Sequence, residues 1–380
     1  FIAVAIVSQT GYATRGWGSS TRNAAGDAIV RQATLKRAVL PLYRAPSRPM
    51  VRRTIPTCHT RRPRGGLRGW SCGVVMLGHS LRFSNAYVAR KKRHQIPAFA
   101  ALREEFSSIY DRGRRHDYAA YTTEWWEGEA EKLEAAFLPV PPTDFLQNPS
   151  LRWAMVSDNA HTFAAELPEL ERAYDTEHLL AVLEEDIVGA PILGLAKYHT
   201  TLNSVHHAYH THRFIDATGC DPRDVDSVVE WGGGYGSLAK IFLRWAQRPV
   251  TYTIIDIPLM SAVQWLYLSC VLGPEQVTFV DSLDTPIEEG KVNILPVGLA
   301  EERAPDAELM ISTWALGESS KRAYELVLER NWFGADRLFL GYADSDELFP
   351  DGGVVGEMAK ARGATLHQIE FLPWCHYAFL

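Results

Sequence analysis

Apolar residues along this 380-residue chain change their spacing near position 220, and the change divides it. From about 96 to 185 they recur every three or four positions, the period of helices with one buried face. Residues 99–110 and 123–137 read this way, the second through Trp125, Trp126, Ala130, Leu133 and Phe137. Pro139-Val140-Pro141-Pro142 interrupts the pattern, which resumes over 151–163 and 167–183, with Glu166, Glu169 and Glu171 in or near the first turn of the latter. Carboxylates suit a helix N-terminus. One more helix is expected over 198–214, where His199, Asn203, His206, His210 and Arg213 share a polar stripe beside an apolar one of Tyr198, Leu202, Val205 and Tyr209.

After 220, short β-branched runs alternate with helical stretches, which predicts parallel strands joined by crossover helices. Val228-Val229-Glu230-Trp231 and the run 250–256 begin the series, either 277–281 or 291–296 supplies a third strand, and 309–313 and 337–342 follow. Residues 365–371 and 376–380 form a closing hairpin. The expected architecture is therefore α/β: a Rossmann-like seven-stranded sheet with an antiparallel C-terminal hairpin, preceded by a helical domain. The boundaries fall at 1–95, 96–220 and 221–380.

The first strand runs into Glu230-Trp231-Gly232-Gly233-Gly234-Tyr235-Gly236 and then a helical pattern. Glycines there permit positive φ and close approach of backbone N–H groups to a ligand at the helix start. The spacing meets the dinucleotide fingerprint only loosely. A carboxylate two residues before the first glycine suits the amino group and ribose of an amino-acid nucleoside, which points to S-adenosylmethionine (SAM). Asp256 ends the second strand 24 residues after Gly232, where doubly wound folds grip ribose hydroxyls. The cofactor candidates are Glu230, Gly232, Gly234, Gly236, Asp256, Ile257 and Asp281. The terminal hairpin favours a SAM-binding sheet over a nicotinamide-binding one, and an NAD-dependent oxidoreductase is the alternative enzyme.

Charge adds one division. The net charge of −6 hides a basic segment, since residues 1–95 hold 18 of the 39 Lys and Arg and a single acid, Asp27. The remainder carries 21 basic against 44 acidic residues, which argues against nucleic acid as partner of the main body. Three readings fit the basic segment: an organellar transit peptide, a nucleic-acid arm, or a disordered or non-native extension ahead of a start at Met76. Five scattered Cys without a C-x-x-C pair suggest reduced thiols in a cytoplasmic setting. No apolar run approaches the ~20 residues of a membrane span, so a soluble protein without a membrane partner is expected. His at i and i+4 can share a metal, but the 198–214 helix holds no acid, and no metal site is assigned.

Residues 187–380 resemble the sugar O-methyltransferase family of the class I SAM-dependent fold. The likeness lies in Tyr198-His199-Thr200-Thr201-Leu202-Asn203-Ser204, the glycine turn, Ile254-Ile255-Asp256-Ile257-Pro258, and Ile311-Ser312-Thr313-Trp314-Ala315-Leu316-Gly317-Glu318-Ser319-Ser320. The family typically carries Ser where Gly317 stands. The resemblance implies methyl transfer to a hydroxyl of a small sugar or glycoside. Such a displacement needs alignment and a base for a weakly acidic hydroxyl. His206 and His210 from the polar stripe and Glu318 after the fourth strand are the catalytic candidates. His199, Asn203, Trp314 and Tyr342 are the substrate-binding candidates. A non-catalytic SAM-binding protein with the same fold is the other alternative.

Overall fold

The computed structural model describes residues 71–380 except Ala196, with side chains from Tyr87 onward. Eight strands form one sheet: β1 (Ser227–Trp231), β2 (Thr251–Asp256), β3 (Val277–Phe279), β4 (Val292–Pro296), β5 (Leu309–Thr313), β6 (Arg337–Ala343), β7 (Thr365–Ile369) and β8 (Leu372–Phe379). Their order is β3-β4-β2-β1-β5-β6-β8-β7. Pairing is parallel up to β6 and antiparallel for β6 with β8 and β8 with β7. The expected Rossmann-like sheet and reversed hairpin are present, with eight strands instead of seven. Both candidate third strands pair: Val292–Pro296 lies against β2, and Val277–Phe279 adds an edge beyond it.

Alternate residues of the strands feed two cores. Val228, Ile254, Ile294, Ile311 and Phe339 face one side, and Val229, Ile255, Leu295, Met310 and Leu340 face the other. Helices cover both faces, which is why these strands are near-continuous apolar runs. The chain crosses the sheet at β1, with β2 on one flank and β5 on the other. A crevice opens beyond the strand C-termini at such a switch point.

Among the described residues, seven α-helices precede β1: α1 (Ser71–Leu102), α2 (Phe106–Gly113), α3 (Glu124–Phe137), α4 (Pro149–Met155), α5 (Ala160–Ala173), α6 (Thr176–Leu183) and α7 (Leu202–Thr218). Five follow it: α8 (Ser237–Ala246), α9 (Pro258–Leu272), α10 (Ala300–Arg303), α11 (Lys321–Glu329) and α12 (Val354–Arg362). The boundary drawn at residue 95 falls inside α1, where Tyr87 and Gln95 are buried. Residues 1–70 and the readings attached to them lie outside the described residues. The helix expected over 167–183 is two helices, because Asp175 caps a new start through the backbone N–H of His178. α5 begins at its own cap, Asn159, so Glu166 sits in mid-helix and not in a first turn.

α7 starts at Leu202, four residues later than the stripe suggested. Leu195 and Thr200 pair as a bridge, and the Thr201 hydroxyl accepts the Ser204 N–H as N-cap. His199 is thus in a turn with φ +48 and cannot share the helical stripe. Among the described residues, no helix is long and apolar enough to cross a membrane.

A buried ionic cluster joins the helices to the sheet layer. Lys240, one turn into α8, is wholly buried and bonds Glu185, and it also contacts the Tyr267 hydroxyl of α9 at 3.1 Å. Glu185 additionally accepts hydrogen bonds from Thr201 and Ser204 at the start of α7. Beside it, Asp186 is bound by Arg244 and by Lys91 from α1, each at 2.8 Å. Burial alone would raise the Asp186 carboxyl, yet Arg244, Lys240 and Lys91 overcome it and hold the group at about 2.

Removing one member of such a cluster strands a charge. Lys240→Met should destabilise the protein by about 3–5 kcal/mol in urea unfolding. The double variant Lys240→Met, Glu185→Leu should lose clearly less. Equal losses in the two would show that the pair is not the source of the cost.

Candidate active site

The ends of β1, β2 and β5 and the first turns of α8 and α9 form one wall of a cleft. The segment Tyr121–Trp126, the end of α4 and the start of α7 form the opposite wall. Its empty space is about 1150 Å³, part of it open to solvent.

The glycine turn builds the first wall. Gly232, Gly234 and Gly236 all have positive φ (+75, +54 and +96), which β-carbon-bearing residues rarely adopt. At Gly232 there is a second requirement: a Cβ would stand 2.0 Å from that of Ala315. The turn and the loop after β5 therefore touch backbone to side chain. Ser312 and Ser319 lock that loop, the first donating to the Trp231 carbonyl at 3.0 Å and the second accepting from the Trp231 indole at 3.0 Å. Gly232, Gly233 and Gly234 line the cleft, whereas Gly236 lies behind it against Leu268.

Two carboxylates stand at the strand ends. Glu230 is buried and accepts the Tyr252 hydroxyl at 3.0 Å. Burial pushes it up to about 8; the Tyr252 bond opposes this and Asp256 adds to it. Asp256 accepts from the Ile257 N–H at 2.8 Å and from Gln264 of α9 at 2.6 Å. Burial raises it to about 7 against those bonds and others from the Gly233 and Gly234 amides. Gln264 also donates to the Gly234 carbonyl at 2.9 Å, so one amide clamps β2 to the turn. Ile257 completes this wall.

Across the cleft, Asn203 accepts the Ser157 N–H at 2.8 Å and donates to the Tyr235 hydroxyl at 2.9 Å, linking α4, α7 and the glycine turn. His206 borders the cleft, buried, with Nδ1 bonded to the buried carboxylate of Glu166. A carboxylate on Nδ1 fixes the proton there and leaves Nε2 as the acceptor. That Nε2 has no hydrogen-bond partner among the described residues. The Trp314 ring lies nearly parallel to the His206 ring, 6.0 Å away, and its backbone is left-handed at φ +67. Glu318 accepts the Trp126 indole N–H at 3.2 Å on the facing wall.

Of the sequence candidates, the cleft brings together Glu230, Gly232, Gly234, Asp256, Ile257, Asn203, His206, Trp314 and Glu318. Four others stand apart besides Gly236. His210 is behind the wall, its Nδ1 2.5 Å from the Tyr377 hydroxyl and its ring 4.0 Å from that of His206. Its burial, with His206 next, holds it well below the usual histidine range. Asp281 follows the edge strand β3, with β4 between it and β2, and is ion-paired to Arg112 at 2.6 Å. His199 stacks on Tyr87 at 4.6 Å. Tyr342 packs over Gly356 and stacks on His376.

Sequence reasoning missed Glu166, Gln264, His207 and the aromatic wall of Tyr121, Trp126 and Trp153. His207 carried a signal, as it adjoins His206. The others are brought in by tertiary contact, Glu166 from 40 positions before His206 and Trp126 from 192 before Glu318.

No family model and no curated protein matches this chain. Solved structures do. The mitomycin 7-O-methyltransferase MmcR is 15% identical over 65% of this chain and 74% of its own, with a TM-score of 0.34. Human N-acetylserotonin methyltransferase in complex with SAM is 11% identical over 83% and 99%, with a TM-score of 0.31. An O-methyltransferase from neocarzinostatin biosynthesis, with S-adenosylhomocysteine (SAH) and 1,4-dihydroxy-2-naphthoic acid, is 14% identical over 83% and 99%, with a TM-score of 0.31. At such identities and scores they say nothing of this chain's substrate.

The two raised carboxyls set a pH dependence. Ordinary values of 3.8 for Asp256 and 4.5 for Glu230 become about 7 and about 8 on folding. As pH rises the unfolded chain releases these protons first, so their contribution to stability is full below about 4 and is lost by about 8. In Asp256→Asn, the fall of the urea midpoint between about pH 5 and 8 should be shallower than in the parent. An identical slope in both would contradict the burial-driven shift.

Proposed function

We propose that this protein is a SAM-dependent O-methyltransferase acting on a hydroxyl of a sugar or glycoside. The observation that carries the reading is a convergence on one cleft. The glycine turn with its two strand-end carboxylates shares the cleft with a buried His–Glu pair whose second imidazole nitrogen has no hydrogen-bond partner among the described residues.

The residues present fit the cofactor. Gly232 and Gly234 hold the turn in left-handed backbone that lines the cleft without side chains, so a nucleoside can lie against it. Asp256 at the end of β2 is positioned for ribose hydroxyls, and Glu230 for an ammonium group. Without a cationic partner both are raised toward neutrality, and a bound cation would favour their ionised forms. When bound, SAM supplies a methyl group on a sulfonium sulfur.

The chain's own residues then do three things. Trp126, Trp153 and Trp314 line the cleft and offer aromatic surface against which the apolar side of a sugar can pack. His206 Nε2 takes the proton of the acceptor hydroxyl as its oxygen bonds to the methyl carbon and the sulfur–carbon bond breaks. Glu166 positions the imidazole and stabilises the imidazolium that results. Glu318, held by Trp126, hydrogen-bonds the acceptor on the other side. The wall around His206 keeps water from competing for the methyl group.

His206→Ala should lower kcat by about 10²–10⁴-fold while calorimetric SAM affinity stays at the parent level. Glu166→Gln should give a smaller drop in kcat at unchanged KM. Gly232→Ala should instead lose SAM binding. Methyl-labelled SAM incubated with carbohydrate pools, followed by mass spectrometry, tests the reaction itself. Tight SAM binding with no label transferred would make this a binding protein, and binding of NAD in place of SAM would make it an oxidoreductase.

A further inference from the structure

His206 has a second imidazole against it. One turn further along α7, the His210 ring meets the His206 ring edge to face at 4.0 Å, while His207 is 6.2 Å from each. The His210 Nδ1 is taken by the Tyr377 hydroxyl of β8, 2.5 Å away. The nitrogen left for any other neighbour is Nε2, which has no hydrogen-bond partner among the described residues. The other titratable groups around this pair are Glu166 on α5, Tyr209 and Arg213 on α7, and Cys375 on β8. The Trp314 ring lies 5.0 Å from His210. Burial first, then His206 and His207, hold His210 well below the usual histidine range, so it is neutral. Burial first, with Glu166 and Tyr209 adding to it and Arg213 opposing, holds the Tyr377 hydroxyl well above its usual range, so it keeps its proton.

A neutral imidazole carries one N–H and one lone pair, and a hydroxyl beside it can donate or accept. Among the described residues the Tyr377 hydroxyl has His210 as its one hydrogen-bond partner. If His210 Nδ1–H donated to Tyr377, two buried groups would be left unmet, the hydroxyl proton and the Nε2 lone pair. If Tyr377 donates to Nδ1, only the Nε2–H is left. An N–H is tolerated against the aromatic rings of His206 and Trp314, whereas a lone pair is repelled by a ring face. Every buried polar group left unpaired costs free energy, so the second arrangement prevails.

We infer that Tyr377 is a positioning residue for the methyl transfer: by donating to His210 it fixes that ring as the Nε2–H tautomer and denies His206 a second imidazole lone pair. The inference rests on the methyl-transfer reading of the cleft, with His206 as the base. In that reaction the acceptor's proton passes to His206 Nε2, and Glu166 stabilises the imidazolium. A lone pair on the adjoining His210 ring would share that proton. It would share one in the resting protein as well, so the base would be occupied at pH values where it has to be free. With Nε2–H in place His210 offers nothing to share it, and the proton stays on His206.

Two measurements on the full chain test this. The first is long-range proton–nitrogen NMR of protein carrying isotope-labelled histidine, with the His210 signals identified by their loss in His210→Phe. It should show His210 as the Nε2–H tautomer in the parent, and Tyr377→Phe should populate the Nδ1–H form. An Nδ1–H tautomer in the parent would overturn the inference, whether or not any acceptor is methylated. The second follows kcat against pH with methyl-labelled SAM and methyl glycosides of common hexoses. The base works unprotonated, so kcat rises with pH, and in Tyr377→Phe that rise should move up by about one pH unit, the equivalent of one neutral hydrogen bond. Adding His210→Phe to Tyr377→Phe should return the rise to its parental pH, because the ring that shared the proton is gone. No movement in Tyr377→Phe, or a shift that survives in the double variant, would make Tyr377 a packing residue and overturn the inference. SAM binding with no label on any glycoside, beside an Nε2–H tautomer in the parent, would overturn the methyl-transfer reading instead, and the positioning role with it.

Discussion

One buried ion pair ties the helical region to the sheet layer. Lys240 lies on the helix that the glycine turn launches, and its ammonium reaches Glu185, the residue at which the helical region hands over to the α7 segment. Because neither charge meets water, neither can move without the other. That coupling fixes α7 against α8, and with α7 come Asn203 and His206. The distance between the glycine-turn wall and the wall that carries His206 is therefore set by a salt bridge outside the cleft. The Asn203–Tyr235 hydrogen bond repeats the tie at the cleft itself.

The sheet was readable because its strands are buried on both faces and hence almost wholly apolar. The turn after β1 was readable because glycine repeats at alternate positions and a carboxylate ends each of the first two strands. Both signals are local. The third strand was ambiguous for a physical reason: Val277–Phe279 and Val292–Pro296 look alike in sequence because both enter the same sheet, one as an edge and one internally.

The site was legible only in part. His206 and Asn203 lie on a helical stripe that sequence spacing identifies, yet the same spacing also selected His199, which a cap at Thr201 excludes from the helix. Position on a strand suggested Asp281, but its strand is one place too far along the sheet. Glu166 looked like an acid placed for a helix dipole. Its partnership with His206 depends on how α5 and α7 pack, which no local pattern encodes.

Trp314 has a consequence beyond its place in the wall. Its backbone is left-handed, an arrangement that costs a bulky residue energy, and its amide is held by the Gly341 carbonyl at 2.6 Å. Its ring rests against Gly341, within van der Waals reach of where a Cβ would stand, and the His210 ring lies 5.0 Å from it. A ring boxed in this way has no rotamer freedom left to surrender when a ligand arrives. The entropy of ordering that surface has been spent in folding, so a ligand that stacks there meets a surface already set.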